Sequence, residues 1–356
     1  MRSTILAVLC ALLSTGALAQ DADKIYQQQC AACHGAERLG GMGPALLPEN
    51  LERLRRAEAV KVISGGRAAT QMPAFAGKLD AAQIEALADY VYAPPAVRPV
   101  WTLAEIKASR IEHVAANTLG SKPVFAVDPL NLFVVVEAGD HHLTVLDGDR
   151  FEPLTRFASR YALHGGPKFS PDGRFVYFAS RDGWISKYDI YNLKMVAEVR
   201  AGINTRNAAV SGDGRYVMMA NYLPHTLVLL DARDLAPLKV IEVNDGKNKS
   251  SRVSAVYDAA SRHSFVAALK DIPEVWEISY DEKADPIPTG MVHDFQYKEG
   301  AFVPGFFNPR RSVLGEYLDD FFFTPDYSEL MATSRDGGAA QVVNLNVRRK
   351  IGRAHV

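Results

Sequence analysis

Three residues in a run of five, Cys30, Cys33 and His34 in "CAACH", have the types and spacing to hold a prosthetic group. Each thiol can add to a vinyl group, and the adjoining imidazole can then reach an iron. C-x-x-C-H is the attachment pattern of c-type haem. Two thiols exported to an oxidising compartment could instead form a disulfide, but the histidine that follows argues for haem. A second candidate is His164, in "YALHGGPKFSPDGRF" (residues 161–175), just before an apolar, strand-like run. By itself it reads either as a loop histidine satisfied by its surroundings or as a ligand for something larger.

Those residues need elements to hold them. The 356 residues suffice for two domains with their own cores. Hydrophobic residues make up 48% and charged residues 23%, as in an ordinary soluble protein. With 40 basic and 41 acidic residues, and no basic stripe, nucleic acid is excluded as a partner. The start, "MRSTILAVLCALLSTGALAQ", has Arg2, an apolar run and Ala17-Leu18-Ala19 before Gln20. It reads as a secretory signal peptide over residues 1–19, cleaved at an A-x-A site. The run is too short for a comfortable membrane span, and no second run is longer. The mature protein is therefore expected to be soluble and periplasmic, where c-type haem is attached.

Residues 21–94 are expected to form a small all-α domain around that haem. "LDAAQIEALADYVYAPP" predicts a helix with Asp80 as N-cap, an apolar stripe of Ile84, Leu87 and Val91, and an end at Pro94-Pro95. The segments "GGMGPAL" (40–46) and "TQMPAF" (70–75) resemble the loops of small cytochromes c. That resemblance implies that the Pro44 carbonyl orients His34 and that Met72, thirty-eight residues beyond His34, is the sixth iron ligand. A thioether there raises the haem potential and suits electron transfer. Met42 is a competing ligand, with loop packing as its simpler role.

After Trp101 the pattern changes to short β-branched runs and glycine turns. Three segments repeat and close on Asp147, Asp189 and Asp231, 42 residues apart, with a weaker echo at residues 323–345. A period near 42 with several short strands per unit signals a β-propeller blade. Asp172-Gly173 and Asp213-Gly214 suit tight hairpins. One blade cannot bury both its faces, so several must stack. The propeller is expected over residues 95–350, with room for about five or six blades. "IGRAHV" (351–356) breaks the pattern and matches a translated sequencing adapter, so these residues are expected to be artefactual and the gene to continue. An unclosed ring would expose strand edges and favour aggregation.

An export signal, a small cytochrome c and a propeller, in that order, resemble the cytochrome cd1 family over roughly residues 24–350. The strongest stretch is residues 161–225. The resemblance implies an eight-bladed d1-type propeller, incomplete in this chain, that binds haem d1 on its axis. It makes His164 the proximal ligand of the d1 iron. Neutral imidazole suits that role, and Gly165-Gly166 leave room for a macrocycle. Haem d1 carries several carboxylates, which arginine neutralises bidentately. Arg206 matches a family arginine at this site, Arg181, Arg252 and Lys270 lie in matching stretches, and Tyr222 matches a pocket tyrosine. His141, His142 and His225 read as surface residues.

Two branches of the family differ on the distal side. The nitrite reductases use a histidine within "F-L-H-D-G-G". Here the stretch is "YLDDFFFTPD", and Asp319 stands at that position. A carboxylate does not replace an imidazolium as proton donor near neutral pH. The sequence is more similar to the branch that oxidises a propionate of dihydro-haem d1 to an acrylate, the last step of haem d1 biosynthesis. That resemblance implies electrons passing through the tetrapyrrole to haem c and on to a periplasmic cytochrome or cupredoxin, with nitrite reductase as a possible recipient of the product. Asp319 is then a candidate base, or simply a blade-turn aspartate. The reductases carry an arginine three residues after the proximal histidine; here that place is Pro167, which leaves one carboxylate contact unassigned. A cytochrome cd1 nitrite reductase, a non-enzymatic haem d1 carrier and a quinoprotein dehydrogenase are the rival readings.

Overall fold

The computed structural model describes residues 21–290, 300–334 and 340–354. The expected signal peptide lies outside them. They form two compact units. One comprises the described residues up to Pro99 with Val135–Thr144 and Arg156–Ala162; the other comprises Val100–Val134, Val145–Thr155 and the chain from Leu163 onward. Among the described residues no helix is long and apolar enough to cross a membrane.

The first unit is mainly helical. Helix α1 covers residues 21–29, followed by α2 (Ala31–His34), α3 (Pro48–Leu51), α4 (Arg56–Gly65) and α5 (Ala81–Tyr92). A reciprocal capping box starts α5: Gln83 N donates to Asp80 Oδ1 at 2.8 Å, and Asp80 N to Gln83 Oε1 at 3.0 Å. Its buried face is Ile84, Leu87, Ala88 and Val91. Leu87 and Val91 meet Tyr26 and Leu51 in the core. At the other end the buried Arg38 guanidinium donates to Tyr90 O (2.5 Å) and Ala93 O (3.1 Å). It thereby satisfies carbonyls that a helix C-terminus leaves without partners.

The second unit opens with helix α6 (Leu103–Ser109), and strand β1 (Ile111–Glu112) then pairs with the outer edge of a later sheet. Five antiparallel meanders follow. The first, whose strands are divided between the two units, has β2 (Leu132–Glu137), β3 (His142–Asp147) and β4 (Pro153–Ala158). The second has β5 (Lys168–Phe169), β6 (Phe175–Ala179), β7 (Trp184–Asp189) and β8 (Lys194–Arg200), with β1 beyond β8. The third has β9 (Asn204–Val210), β10 (Tyr216–Leu223), β11 (Thr226–Asp231) and β12 (Pro237–Glu242). The fourth takes β13 (Val253–Ala259), β14 (Ser264–Leu269) and β15 (Glu274–Ser279), then a small hairpin of β16 (Ile287–Pro288) and β17 (Phe302–Val303), before β18 (Pro309–Val313) completes it. The fifth is β19 (Leu318–Phe323), β20 (Glu329–Ser334), β21 (Ala340–Asn344) and β22 (Arg349–Ala354). Strand β22 runs past Lys350, pairing Arg353 with Gln341 and Ala354 with Ala340. An edge strand needs only main-chain partners to continue, so residues 351–354 serve as strand whatever their origin.

Side-chain alternation stacks these sheets. In the third sheet Val217, Met219, Val228 and Leu230 pack with Tyr177, Ile185 and Val199 of the second. Their neighbours Met218, Leu227 and Leu229 face the other way, against Phe265, Trp276 and Ile278 of the fourth. Strands buried on both faces carry continuous apolar runs, and "YVMMA" and "TLVLL" are such runs.

The repeated polar residues make the turns. Ser211 Oγ donates to Asp213 Oδ1 (2.6 Å) while accepting from Tyr216 N (2.9 Å). Ser170 with Asp172 and Thr324 with Asp326 repeat the device. The closing aspartates cap the turns after β3, β7 and β11: Asp147 accepts from Asp149 N (2.9 Å), Asp189 from Asn192 N (3.2 Å) and Asp231 from Arg233 N (2.8 Å).

Candidate functional site

In the helical unit α1 leads directly into the "CAACH" turn. His34 N donates to Cys30 O (2.9 Å) and Gly43 N to Cys33 O (2.8 Å), tying the motif to the 40–46 loop. The Pro44 carbonyl lies 2.8 Å from His34 Nδ1. The ring rests flat on Gly43, where an added Cβ would come within 2.7 Å of its Cε1, so only glycine fits. Burial lowers the His34 pKa, partly opposed by the Pro44 hydrogen bond. The imidazole is thus neutral, with Nδ1–H donated to Pro44 and Nε2 left to bind a metal. Both thiols are unpaired, and burial, reinforced by Cys33, pushes the Cys30 thiol up to about 11. Two thiols and an oriented neutral imidazole are the donor set that covalent haem c requires, and they fit it.

Met72 is half-buried and Met42 is 58% exposed. The Met72 loop is pinned through Thr70, whose hydroxyl donates to Arg67 O (2.8 Å) and accepts from Met72 N (3.2 Å).

In the β unit two clusters form from the remaining candidates. The first joins His164 to Arg206 of β9. His164 Nδ1 lies 2.9 Å from Arg206 O, and its Nε2 lies 2.8 Å from Arg206 Nη1. A guanidinium has no acceptor. Nε2 must therefore carry the lone pair, and Nδ1–H donates to the carbonyl. Gly165 and Gly166 follow in the left-handed region, φ 82° and 69°. Arg181 is exposed and meets this region through its carbonyl, which accepts from Thr205 N at 3.1 Å.

The second cluster surrounds Tyr222. Arg252 and Lys270 stand 5.5 and 5.6 Å from its ring centre. Among the described residues its buried hydroxyl has no hydrogen-bond partner. A buried orphan hydroxyl beside two cations is what an acidic ligand would complete. Arg252 is held bidentately by Asp271, at 2.8 and 2.7 Å, and Lys270 pairs with Asp319. Asp319 is therefore already engaged by a cation, at a register shift in β19. His142 pairs with Asp140, His141 packs edge-on to Tyr161, and His225 bonds Ser250 Oγ.

Sequence reasoning missed Lys168, Tyr257 and Asp320. Lys168 Nζ donates to Gly165 O (2.8 Å), and burial lowers its pKa against the pull of Asp320. The Tyr257 hydroxyl donates to Asp320 Oδ1 (3.0 Å). Burial, then the Asp320 charge, pushes that phenol up to about 12. The signal for Lys168 was its place next to Pro167: the cation absent at one position stands at the next.

Family models divide the chain in the same way. Residues 127–305 match the cytochrome D1 heme domain, and residues 17–91 match the cytochrome C oxidase, cbb3-type, subunit III family. The chain belongs to the cytochrome D1 heme-domain family, with a haem c domain ahead of the d1 domain. It is 55% identical over 338 residues to the dihydro-heme d1 dehydrogenase of Pseudomonas aeruginosa, covering 94% of this chain and 64% of that protein. A solved structure of dihydro-heme d1 dehydrogenase NirN in complex with DHE matches with a TM-score of 0.83 at 54% identity, over 94% of this chain and 68% of that one. A nitrite reductase of Stutzerimonas stutzeri is 24% identical over 282 residues, 73% of this chain and 50% of that protein. The chain thus spans just under two thirds of the length of the dehydrogenase.

Proposed function

We propose that this protein is a periplasmic oxidoreductase of haem d1 biosynthesis that converts a propionate of dihydro-haem d1 into an acrylate. The reaction turns CH2–CH2 into CH=CH, releasing two electrons and two protons. The observation that carries the reading is His164. Its Nδ1–H is fixed on a main-chain carbonyl so that Nε2 presents a lone pair, the arrangement metal-binding histidines use. It does so in a chain 55% identical to a protein of that activity.

Each residue has a role in this reading. His164 ligates the substrate iron and fixes the ring. Arg206 and Lys168 receive carboxylates beside it. Tyr222, with Arg252 and Lys270, receives another through the unpartnered hydroxyl, and Arg181 remains a further carboxylate partner at the exposed rim. Haem c held by Cys30, Cys33 and His34, with Met72 as sixth ligand, supplies one-electron oxidation. A periplasmic cytochrome or cupredoxin then collects the electrons, and nitrite reductase receives the haem d1. The domain order that goes with this is a signal peptide at 1–19, the cytochrome domain at 21–94 and an eight-bladed d1-type propeller from 95, of which five sheets are described.

The engagement of Asp319 by Lys270 weighs against both an acid like that of the reductase and a free base at that position. The test is anaerobic incubation of the haem c-loaded protein with dihydro-haem d1 and an electron acceptor, followed by mass analysis of the tetrapyrrole. Loss of two hydrogens supports the oxidoreductase. Tight binding with an unchanged mass would leave a carrier, and nitrite-driven turnover would return the reductase.

A further inference from the structure

The lone pair that His164 would offer to iron is already occupied. Arg206 holds the imidazole from both sides, with its carbonyl on Nδ1 (2.9 Å) and its guanidinium on Nε2 (2.8 Å). The first contact prepares the ligand and the second blocks it. One lone pair cannot bind an N–H donor and a metal together, so the guanidinium must leave before iron can arrive.

Which ligand can move it follows from hydrogen-bond chemistry. A guanidinium on a neutral imidazole makes a single charge-to-neutral contact. A guanidinium on a carboxylate makes two parallel charge-assisted bonds, each about twice as strong as a neutral one. The trade favours a ligand that brings a carboxylate along with its metal. Gly166 adds room at this point, since among the described residues no atom lies within 4 Å of a Cβ built on it, whereas Gly165 packs close to Asn207, whose Oδ1 would stand 3.0 Å from an added Cβ.

We propose that Arg206 is a carboxylate-operated latch on His164. A macrocycle bearing a carboxylate near its metal draws the guanidinium onto itself and uncovers Nε2. A metal macrocycle without free carboxylates finds the nitrogen covered. Arg206 is then a specificity-determining and positioning residue, which couples recognition of the substrate's acid groups to iron ligation. The inference rests on the reading of His164 as the iron ligand.

The latch predicts something that a plain clamp does not. A clamp only adds affinity for acids, so its removal leaves neutral ligands unaffected. Removing a latch makes a neutral ligand bind more tightly. The experiment compares equilibrium binding of dihydro-haem d1 and its fully methyl-esterified form to the wild type, Arg206→Ala and Arg206→Gln. Absorbance and electron paramagnetic resonance report imidazole ligation, with His164→Ala as the control. For the ester, Arg206→Ala should bind about tenfold more tightly than wild type, the equivalent of one hydrogen bond no longer broken. For the free acid it should bind more weakly. Arg206→Gln keeps a donor for Nε2 but cannot pair with a carboxylate as an ion, so both forms should bind it weakly. Ester affinity equal in wild type and Arg206→Ala, with His164 ligation intact, overturns the latch and leaves the function standing. Spectra of the acid complex identical in wild type and His164→Ala overturn the function reading, and the latch with it.

Discussion

Asp147, Asp189 and Asp231 occupy one position of a 42-residue repeat, yet their environments predict unequal costs on removal. Asp189 is fully buried. Its carboxylate accepts from Arg174 Nη2 (2.7 Å) and Nε (3.3 Å), and from Asn192 Nδ2 (2.8 Å) and N (3.2 Å). Asp189→Ala strands a partly buried guanidinium and two amide donors. Removing one partner of a buried pair costs about 3–5 kcal/mol. Arg174 keeps a bond to Gly120 O (2.8 Å) and the faces of Phe175 and Tyr191, which places the cost at the low end, about 3 kcal/mol. Asp147 caps only the Asp149 amide, and Asp231 caps Arg233 N and touches a guanidinium whose side chain is 74% exposed. Each should cost about 1 kcal/mol, the worth of a lost cap. Adding Arg174→Met to Asp189→Ala should recover about 1 kcal/mol, because the unpaired charge is gone. The assay is urea unfolding of the β unit in the full protein, followed by tryptophan fluorescence. An Asp189→Ala cost within 1 kcal/mol of that for Asp147→Ala would refute the reasoning.

Other consequences are as direct. Burial pushes the Asp258 carboxyl up to about 6, against the Tyr280 hydroxyl and Gly212 amide that pull it down. The folded pKa exceeds the unfolded one, so the protonated form adds stability that is lost as pH rises from about 4 to 6. Melting temperature should fall over that window in wild type and stay flatter in Asp258→Asn; parallel curves would show the shift to be absent. In the helical unit, Arg38→Met frees the Tyr90 and Ala93 carbonyls and should lower stability by about 2–3 kcal/mol, seen as earlier chemical unfolding at the haem c absorbance. Thr70→Val removes the hydroxyl that holds the Met72 amide. With Met72 as sixth ligand, the thioether–iron band should weaken and the haem c potential should fall, while an unchanged spectrum would detach the loop from the ligand.

Local rules carried much of the fold. Asp80 and Gln83 declared the start of α5, and the stripe Ile84, Leu87, Val91 declared its buried face, because capping and periodicity act within one turn. The 42-residue spacing identified the second and third sheets, because the serine–aspartate pairs and closing aspartates recur in both. Four features stayed hidden, because contacts across the sequence decide them. Strand β1 joins a sheet whose other strands begin 57 residues further on, at Lys168. An inserted hairpin separates β15 from β18. Arg206 and Lys270 read as carboxylate partners from their types, but only the fold sets one on His164 and the other on Asp319. Asp320 hid behind Asp319, since a register shift in β19 decides which of two adjacent carboxylates meets Tyr257.

The most direct test of the proposed oxidation is anaerobic stopped-flow mixing of ferric haem c protein with dihydro-haem d1, wild type against His164→Ala. The account predicts that haem c becomes ferrous as the acrylate product forms, each of two ferric haem c proteins taking one electron per product, and that both signals are lost together in the variant. Acrylate formation with haem c remaining ferric, or a His164→Ala protein as fast as wild type, would contradict it.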